Sequence, residues 1–185
     1  MFEHGKRTTQ LTLFGSVKVL VACALFVAMS IVLGKFLSIK IGDNIRVSFE
    51  NLSLLLSGIL FGPLIGMITA VIADVVGCFL YGYSINPVIT LGAASIGFIA
   101  GMVSTFSRKK TGIISITVAV FLAHIVGSMV VKSIGLYIWY PSQRPLLFWR
   151  VPVYLITAAA ETAIIYSLLK SKAFIQQFEK LKKKS

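Results

Sequence analysis

Long apolar stretches separated by short polar connections dominate the pattern of this chain. A helix that spans a bilayer needs about 20 mostly apolar residues, and the chain has room for six such segments. The apolar stretches and the turn signals between them predict helices over residues 16–37, 47–61, 63–80, 86–106, 113–138 and 146–169. We therefore predict an all-α integral membrane protein, a compact bundle of six transmembrane helices that forms a single domain over residues 1–185.

Glycine, proline and asparagine mark two of these boundaries. Gly62-Pro63 is a strong turn signal between the second and third helices. Pro87 lies near the first turn of the fourth helix, where a missing backbone N–H is tolerated. Asn86 stands just before it and is suited either to cap this helix or to contact a ligand through its amide.

Composition agrees with a membrane location, and the charge distribution gives a topology. Of the residues, 57% are hydrophobic and 13% are charged, and the net charge is +12. The basic residues cluster at segment ends, which is typical of membrane topology and argues against nucleic-acid binding. The positive-inside rule predicts that both termini are cytoplasmic. Twelve of the 18 cations support that side: Lys6, Arg7, Lys18, Arg108, Lys109, Lys110, Lys170, Lys172, Lys180, Lys182, Lys183 and Lys184.

The other six cations lie toward the opposite ends of the segments. Lysines at a rim can extend their long side chains to the interface. Arginines within or beside a membrane usually face a cavity or a polar ligand. An outward-facing basic pocket suits an anionic solute. The six residues are Lys35, Lys40, Arg46, Lys132, Arg144 and Arg150.

Small residues recur every four positions on several predicted helices. Gly58, Gly62 and Gly66 form one such stripe, which lets helix backbones approach closely in lipid. Ala24 and Ala28 form an AxxxA pair on the first helix. That pair is suited either to packing inside the bundle or to contact with a partner membrane protein.

Three ionisable side chains fall inside apolar segments. An aspartate or glutamate near the bilayer centre costs about 3 kcal/mol on insertion scales, so Asp74 and Glu161 need a partner or a polar cavity. Candidate partners are Lys132, Arg150 or a protein amide. His124 has no companion ligands for a metal, and a hydrogen-bonded packing role is favoured.

Nothing in the chain has the pattern of a catalytic centre or a resident cofactor. The sequence has no GxxxxGK[ST] phosphate loop, so the chain is not expected to hydrolyse ATP itself. It also has no HExxH, CxxC or GxSxG. Cys23 and Cys78 lie in apolar segments and are expected to be buried free thiols. We predict no metal, no cofactor and no enzymatic activity.

A known family matches these features. Six short helices, the AxxxA pair on the first helix and the basic outer rim resemble the substrate-binding S components of energy-coupling factor (ECF) vitamin transporters. The run RVSF at 46–49, followed by GILFGP and IADVVG, resembles the RISF, GMLFGP and ADLLG run of the folate-family S components. The stretch INPVITLGAASIGFIAG resembles their fourth helix.

Two departures from the family pattern concern the ligand more than the fold. Glu50-Asn51 stands where the family tends to an apolar, proline-containing stretch. In the sixth helix Arg150 and Glu161 match the family spacing, but Val153 stands where a lysine is usual.

The resemblance implies a high-affinity vitamin-binding subunit in a bacterial plasma membrane. Such a subunit passes its cargo inward by toppling against a scaffold transmembrane subunit, driven by two separate ATPases. Members of the group use the AxxxA face, here Ala24 and Ala28, to contact that scaffold. Folate is the favoured cargo.

Folate chemistry then assigns roles to the candidate site residues. Arginine forks suit its two carboxylates, aromatic rings suit its flat rings, and amides or a carboxylate suit the paired donors and acceptors of its pteridine. The predicted substrate-binding residues are Arg46, Phe49, Asn51, Asp74, Asn86, Lys132, Trp139, Arg144 and Arg150.

Three other interpretations remain open. The cargo could be another vitamin, such as riboflavin, thiamine or biotin. The chain could instead be a membrane-embedded enzyme that acts on lipid, with Asp74, His124 and Glu161 as its polar centre. It could also be a structural partner in a larger bundle, which would leave the outer arginines without a purpose.

Overall fold

The computed structural model describes residues 16–41, 45–107 and 112–183. The predicted cytoplasmic cations at 6, 7, 108–110 and 184 lie outside the described residues. A short 3-10 turn, Pro141–Leu146, precedes the sixth helix. The helices are α1 (Val17–Phe36), α2 (Glu50–Phe61), α3 (Pro63–Tyr81), α4 (Pro87–Phe106), α5 (Ile113–Trp139), α6 (Leu147–Lys170) and α7 (Lys172–Lys183).

The predicted fold class, an all-α membrane bundle, is confirmed. Five of the described helices, α1 and α3 to α6, are long and apolar enough to cross a membrane. The sixth, α2, has 12 residues, which is fewer than the roughly 20 that a full span requires. It packs against α1, α3 and α4, and most of its side chains are buried. A short helix is tolerated there because protein, rather than lipid, surrounds it.

A β-hairpin precedes α2, where the sequence predicted a polar loop and an earlier helix start. β1 (Ile39–Ile41) and β2 (Ile45–Val47) pair antiparallel, with Ile39 opposite Val47. Isoleucines on both strands and the valine on β2 favour the extended conformation. α2 begins at Glu50 rather than at residue 47. β2 contacts α6. The hairpin therefore lies beside the helix that carries Arg150.

The two predicted boundary signals act through backbone geometry and capping. Gly62 ends α2 with φ 98°, a left-handed value that favours glycine, and Pro63 begins α3. The Asn86 side-chain oxygen accepts hydrogen bonds from the backbone N–H groups of Val88 (3.0 Å) and Ile89 (3.3 Å). Asn86 is therefore the N-cap of α4.

Glycines hold α2, α3 and α4 in close contact. A Cβ atom placed on Gly66 of α3 would lie 2.6 Å from the Cα of Gly58 and 2.6 Å from the carbonyl oxygen of Gly97. Both neighbours are backbone atoms, which cannot swing aside as the end of a flexible side chain can. The glycine stripe predicted from sequence thus packs inside the bundle. In lipid, burial of apolar surface contributes little to helix association, so close approach of the backbones matters most.

We expect Gly66→Ala to destabilise the bundle by about 1–3 kcal/mol, because the added methyl group forces two helix backbones apart. Thermal unfolding of the ligand-free protein in detergent measures this loss. Gly77→Ala is the matched control, because a Cβ there meets only the Tyr81 ring edge at 3.7 Å, an ordinary contact. Equal melting temperatures for the two variants would contradict the close-packing account.

Candidate functional site

A cavity lined by both apolar and polar side chains opens at one end of the bundle. It has a volume of about 460 Å³, within the roughly 300–1,000 Å³ typical of small-molecule sites. The end of α3, the start of α4, the end of α5 and the start of α6 surround it. α1, the start of α2 and the 3-10 turn complete the wall. Four predicted site residues line it: Asp74, Asn86, Lys132 and Arg150.

Two cations enter the cavity from α5 and α6. The Nζ atom of Lys132 lies 3.7 Å from Oε1 of Glu50, which also lines the cavity. The Arg150 guanidinium donates from Nε to Ser133 Oγ at 3.1 Å and from Nη2 to the Ser128 carbonyl at 3.0 Å. These bonds fix its orientation but use only part of its five N–H donors. Donors therefore remain for an anionic group in the cavity.

Asp74 brings a carboxylate to the same cavity from the middle of α3. Its Oδ2 atom accepts a hydrogen bond of 2.7 Å from the Thr90 hydroxyl. Within the described residues it forms no ion pair, whereas Glu50 pairs with Lys132. A carboxylate at this depth is costly unless donors satisfy it. Asp74 is accordingly the cavity group best placed to receive N–H donors from a ligand.

Tyrosines supply most of the aromatic surface, and the sequence prediction missed them. The Tyr81 hydroxyl donates to the Ile31 carbonyl at 2.5 Å, and the Tyr81 and Tyr83 ring centroids are 5.9 Å apart. Tyrosines are also common near helix ends at the membrane interface. No sequence signal therefore distinguishes a tyrosine that lines a cavity from an interfacial one. The missed polar and aromatic lining residues are Ser30, Ser48, Glu50, Tyr81, Tyr83, Ser84, Tyr140, Gln143 and Tyr154.

Five predicted site residues are not among those that line the cavity. Phe49 packs against the apolar core, and Asn51 is buried in α2 with 1% of its surface exposed. Trp139 is 52% exposed at the end of α5. Arg144 donates from Nε to the Tyr137 carbonyl at 2.8 Å and stacks over the Tyr137 ring on the outer surface. Arg46 belongs to β2, and its side chain lies outside the described part of the structure.

A second polar cluster lies deeper, between α5 and α6. His124 and Glu161 are fully buried, with 2.5 Å between Nε2 and Oε2. His124 Nδ1 lies 3.1 Å from the Ser128 hydroxyl. Glu161 thus has a histidine partner rather than the Lys132 or Arg150 predicted from sequence. The cluster has the residue types of a hydrolase triad, but the three side chains are inaccessible to a substrate and Asp74 lies elsewhere, bonded to Thr90.

No group of three or more histidine, cysteine, aspartate or glutamate side chains in the described ranges is placed to hold a metal ion. Cys23 and Cys78 are half-buried free thiols, less buried than predicted. The described lining of the cavity combines charged side chains, hydroxyl groups and aromatic rings.

A membrane-embedded helical bundle with a cavity at one end that charged and aromatic side chains line is the architecture of a solute-binding membrane protein. The family model for the S component of ECF-type riboflavin transporters matches residues 14–174, and the chain belongs to this family. The predicted resemblance to ECF S components is therefore confirmed. The chain is a multi-pass membrane protein and a vitamin-binding subunit of an ECF transporter, a family of transport components rather than enzymes.

A solved structure shares this fold. The crystal structure of FolT bound with folic acid matches with a TM-score of 0.70 at 21% sequence identity, covering 84% of this chain and 95% of that chain. At this identity the match shows the fold alone. No curated protein sequence matches the chain.

Proposed function

We propose that this S component binds folate in the cavity described above and delivers it to an energising module without chemical change. The observation that carries the proposal is the combination of two side chains that line the cavity. Asp74 is a carboxylate that forms no ion pair among the described residues and accepts one hydrogen bond, from Thr90. Arg150 is a guanidinium whose bonds to described residues use only part of its N–H donors. The aminopyrimidinone edge of a pteridine presents adjacent N–H donors, which a carboxylate accepts in pairs. The glutamate tail of folate presents carboxylates, which a guanidinium binds with its fork.

Riboflavin is the second candidate, and two observations favour it. The matching family model describes riboflavin transporters. The charged side chains that line the cavity within the described residues also balance, since Glu50 and Asp74 oppose Lys132 and Arg150. A balanced site suits an uncharged ligand. Riboflavin has no carboxylate for Arg150 and no adjacent pair of ring donors for Asp74. For this reason we place it second.

Mass spectrometry of the small molecule carried by detergent-purified protein tests the choice directly. We expect folate or a reduced folate at close to one molecule per chain. If the bound molecule were riboflavin instead, the folate assignment would be wrong, but the protein would still be a vitamin-binding subunit. Any vitamin chemically altered during incubation with the purified chain alone would contradict the absence of turnover.

The cavity is proposed to face outward. Residues at the start of α4 line it, and α4 has 20 residues, so its other end is about 30 Å away. That other end leads into the basic stretch 108–110, which the positive-inside rule assigns to the cytoplasm. Both termini would then be cytoplasmic, in a bacterial plasma membrane.

The partner surface is proposed to be the exposed face of α1. Val19, Ala22 and Phe26 of this helix are buried, whereas Ala24 and Ala28 point outward. Small outward-facing residues let a second helix approach closely in lipid. The partner would be the scaffold transmembrane subunit, which two ABC-type ATPases drive as the S component reorients.

We expect Ala24→Leu/Ala28→Leu to abolish co-purification with the scaffold and vitamin uptake, because the larger side chains block close helix approach. Vitamin binding by the isolated chain should stay within about twofold of the parent, since neither alanine lines the cavity. Uptake by cells and pull-down of the scaffold measure the first effect.

The matched control is Ala159→Leu/Ala163→Leu. These two alanines have the same spacing and are exposed on α6, so the substitution adds the same bulk to a different outer face. Loss of scaffold binding in the control alone would move the interface to α6.

A further inference from the structure

The buried pair of His124 and Glu161 is not part of the cavity, yet the bundle retains it. Both side chains are 0% exposed, and Oε1 of Glu161 has no hydrogen-bond partner among the described residues. Breaking or burying such a pair costs several kcal/mol, whereas well-packed apolar residues of similar volume are often neutral or stabilising. A polar pair at this position therefore calls for a role other than packing.

Hydrogen bonds and one ring contact connect this pair to the cavity. The Ser128 hydroxyl contacts His124 Nδ1 at 3.1 Å, and the backbone carbonyl of the same serine accepts from Arg150 Nη2 at 3.0 Å. A second route runs through Tyr154, whose ring centroid lies 5.5 Å from that of His124. The Tyr154 hydroxyl accepts from Arg150 Nη2 at 3.3 Å. Both routes end on the guanidinium that faces the cavity.

The winding of α5 explains why the Ser128 carbonyl is available. From His124 to Val131 the helix is a π-helix, and the Lys132 N–H bonds to the Gly127 carbonyl, five residues back. In an α-helix that N–H would bond to the Ser128 carbonyl instead. Because the Lys132 N–H bonds elsewhere, the Ser128 carbonyl can accept from Arg150. Such turns are rare and occur often at functional sites.

We propose that His124 and Glu161 are positioning residues for Arg150. The pair bridges α5 to α6 at the first residue of the wide turn and so holds the turn open. The open turn presents the Ser128 carbonyl, which orients the guanidinium toward the cavity. This inference rests on the proposed function, since it concerns how Arg150 meets the carboxylates of the vitamin. His124 and Glu161 themselves do not touch the ligand.

The test compares two probes on the parent and on variants of the full chain. One probe is folate, and the other is folate diamide, in which both glutamate carboxylates are amides. We expect Glu161→Leu to weaken folate binding about tenfold and diamide binding less than about twofold, because only the carboxylates depend on an oriented guanidinium. Glu161→Gln keeps an acceptor for His124 and should restore most of the preference for folate.

Ser128→Ala is a second variant, which makes the test independent of whether Glu161→Leu folds. It removes the hydroxyl next to His124 and should lower the folate preference about threefold. Adding Glu161→Leu to Arg150→Gln should produce no further loss of folate binding, since both changes act on one contact. Ser167→Ala is the control, because its hydroxyl is exposed on α6 and donates to the Ala163 carbonyl, away from the cavity.

Each outcome has a definite meaning. Equal weakening of both probes by Glu161→Leu, or no change in either, would overturn the positioning role while leaving folate binding in place. A parent protein that binds folate and the diamide equally would overturn the Arg150 contact together with this inference. A parent that binds neither probe would overturn the proposed cargo and, with it, the inference.

Discussion

Arg150→Gln is expected to weaken folate binding about 100-fold, the largest effect of any single cavity substitution. The guanidinium lines the cavity and is held by Ser133 Oγ and the Ser128 carbonyl, so its remaining donors are preorganised for a carboxylate. Removing one member of a partly buried, hydrogen-bonded charge pair costs about 2–5 kcal/mol. Isothermal titration of the ligand-free protein measures the change. Arg150→Lys keeps the positive charge but loses the two parallel N–H donors of the guanidinium. Its affinity for folate should lie between those of the parent and of Arg150→Gln.

Arg144→Gln is the matched control for this prediction. Its guanidinium contacts the Tyr137 carbonyl and ring on the outer surface, so folate binding should change less than about twofold. A large loss in Arg144→Gln with none in Arg150→Gln would show that the carboxylates bind at the rim. The cavity would then not be the anion site.

Asp74→Asn is expected to weaken folate binding about 30-fold and to leave riboflavin binding, where measurable, within about twofold. The amide keeps the shape of the side chain and an oxygen that can accept from Thr90, but it loses the charge and places two N–H donors toward the cavity. A pteridine edge that donates would then face a donor, and charge-assisted bonds contribute about 1.5–3 kcal/mol each. Competition titration with both vitamins measures the difference.

Glu50→Gln separates the two carboxylates of the cavity. Glu50 is paired with Lys132 at 3.7 Å. Its substitution should therefore lower the affinity for folate less than the substitution of Asp74 does. The reverse order would assign the pteridine edge to Glu50. It would also explain why this chain departs from the family pattern at that position.

The lengths of the apolar stretches and the turn residues between them predicted most of the fold, because both are local features of the sequence. Gly62-Pro63 and Asn86-Pro87 mark helix boundaries through a left-handed glycine and an N-cap, and those features need no tertiary information. The pairing of β1 (Ile39–Ile41) with β2 (Ile45–Val47) was missed because each strand has three residues. Pairing over so short a distance depends on the neighbouring helices as much as on sequence.

The candidate site was only half predictable, for a physical reason. Asp74, Lys132 and Arg150 are polar groups in apolar segments, and the cost of burying them identifies them from sequence alone. Placing a tyrosine at a helix end has no such cost, because its ring and hydroxyl are both stable at the membrane interface. The pairing of His124 with Glu161 joins residues 37 positions apart on different helices. Local pattern cannot supply that contact.

The central claim is that this S component binds folate in a cavity where Asp74 and Arg150 meet the two ends of the vitamin. An equilibrium titration of the ligand-free protein with folate, repeated with riboflavin as competitor, tests it most directly. We expect one saturable folate site per chain that excess riboflavin does not displace. Absence of folate binding, or complete displacement by riboflavin at equal concentration, would contradict it.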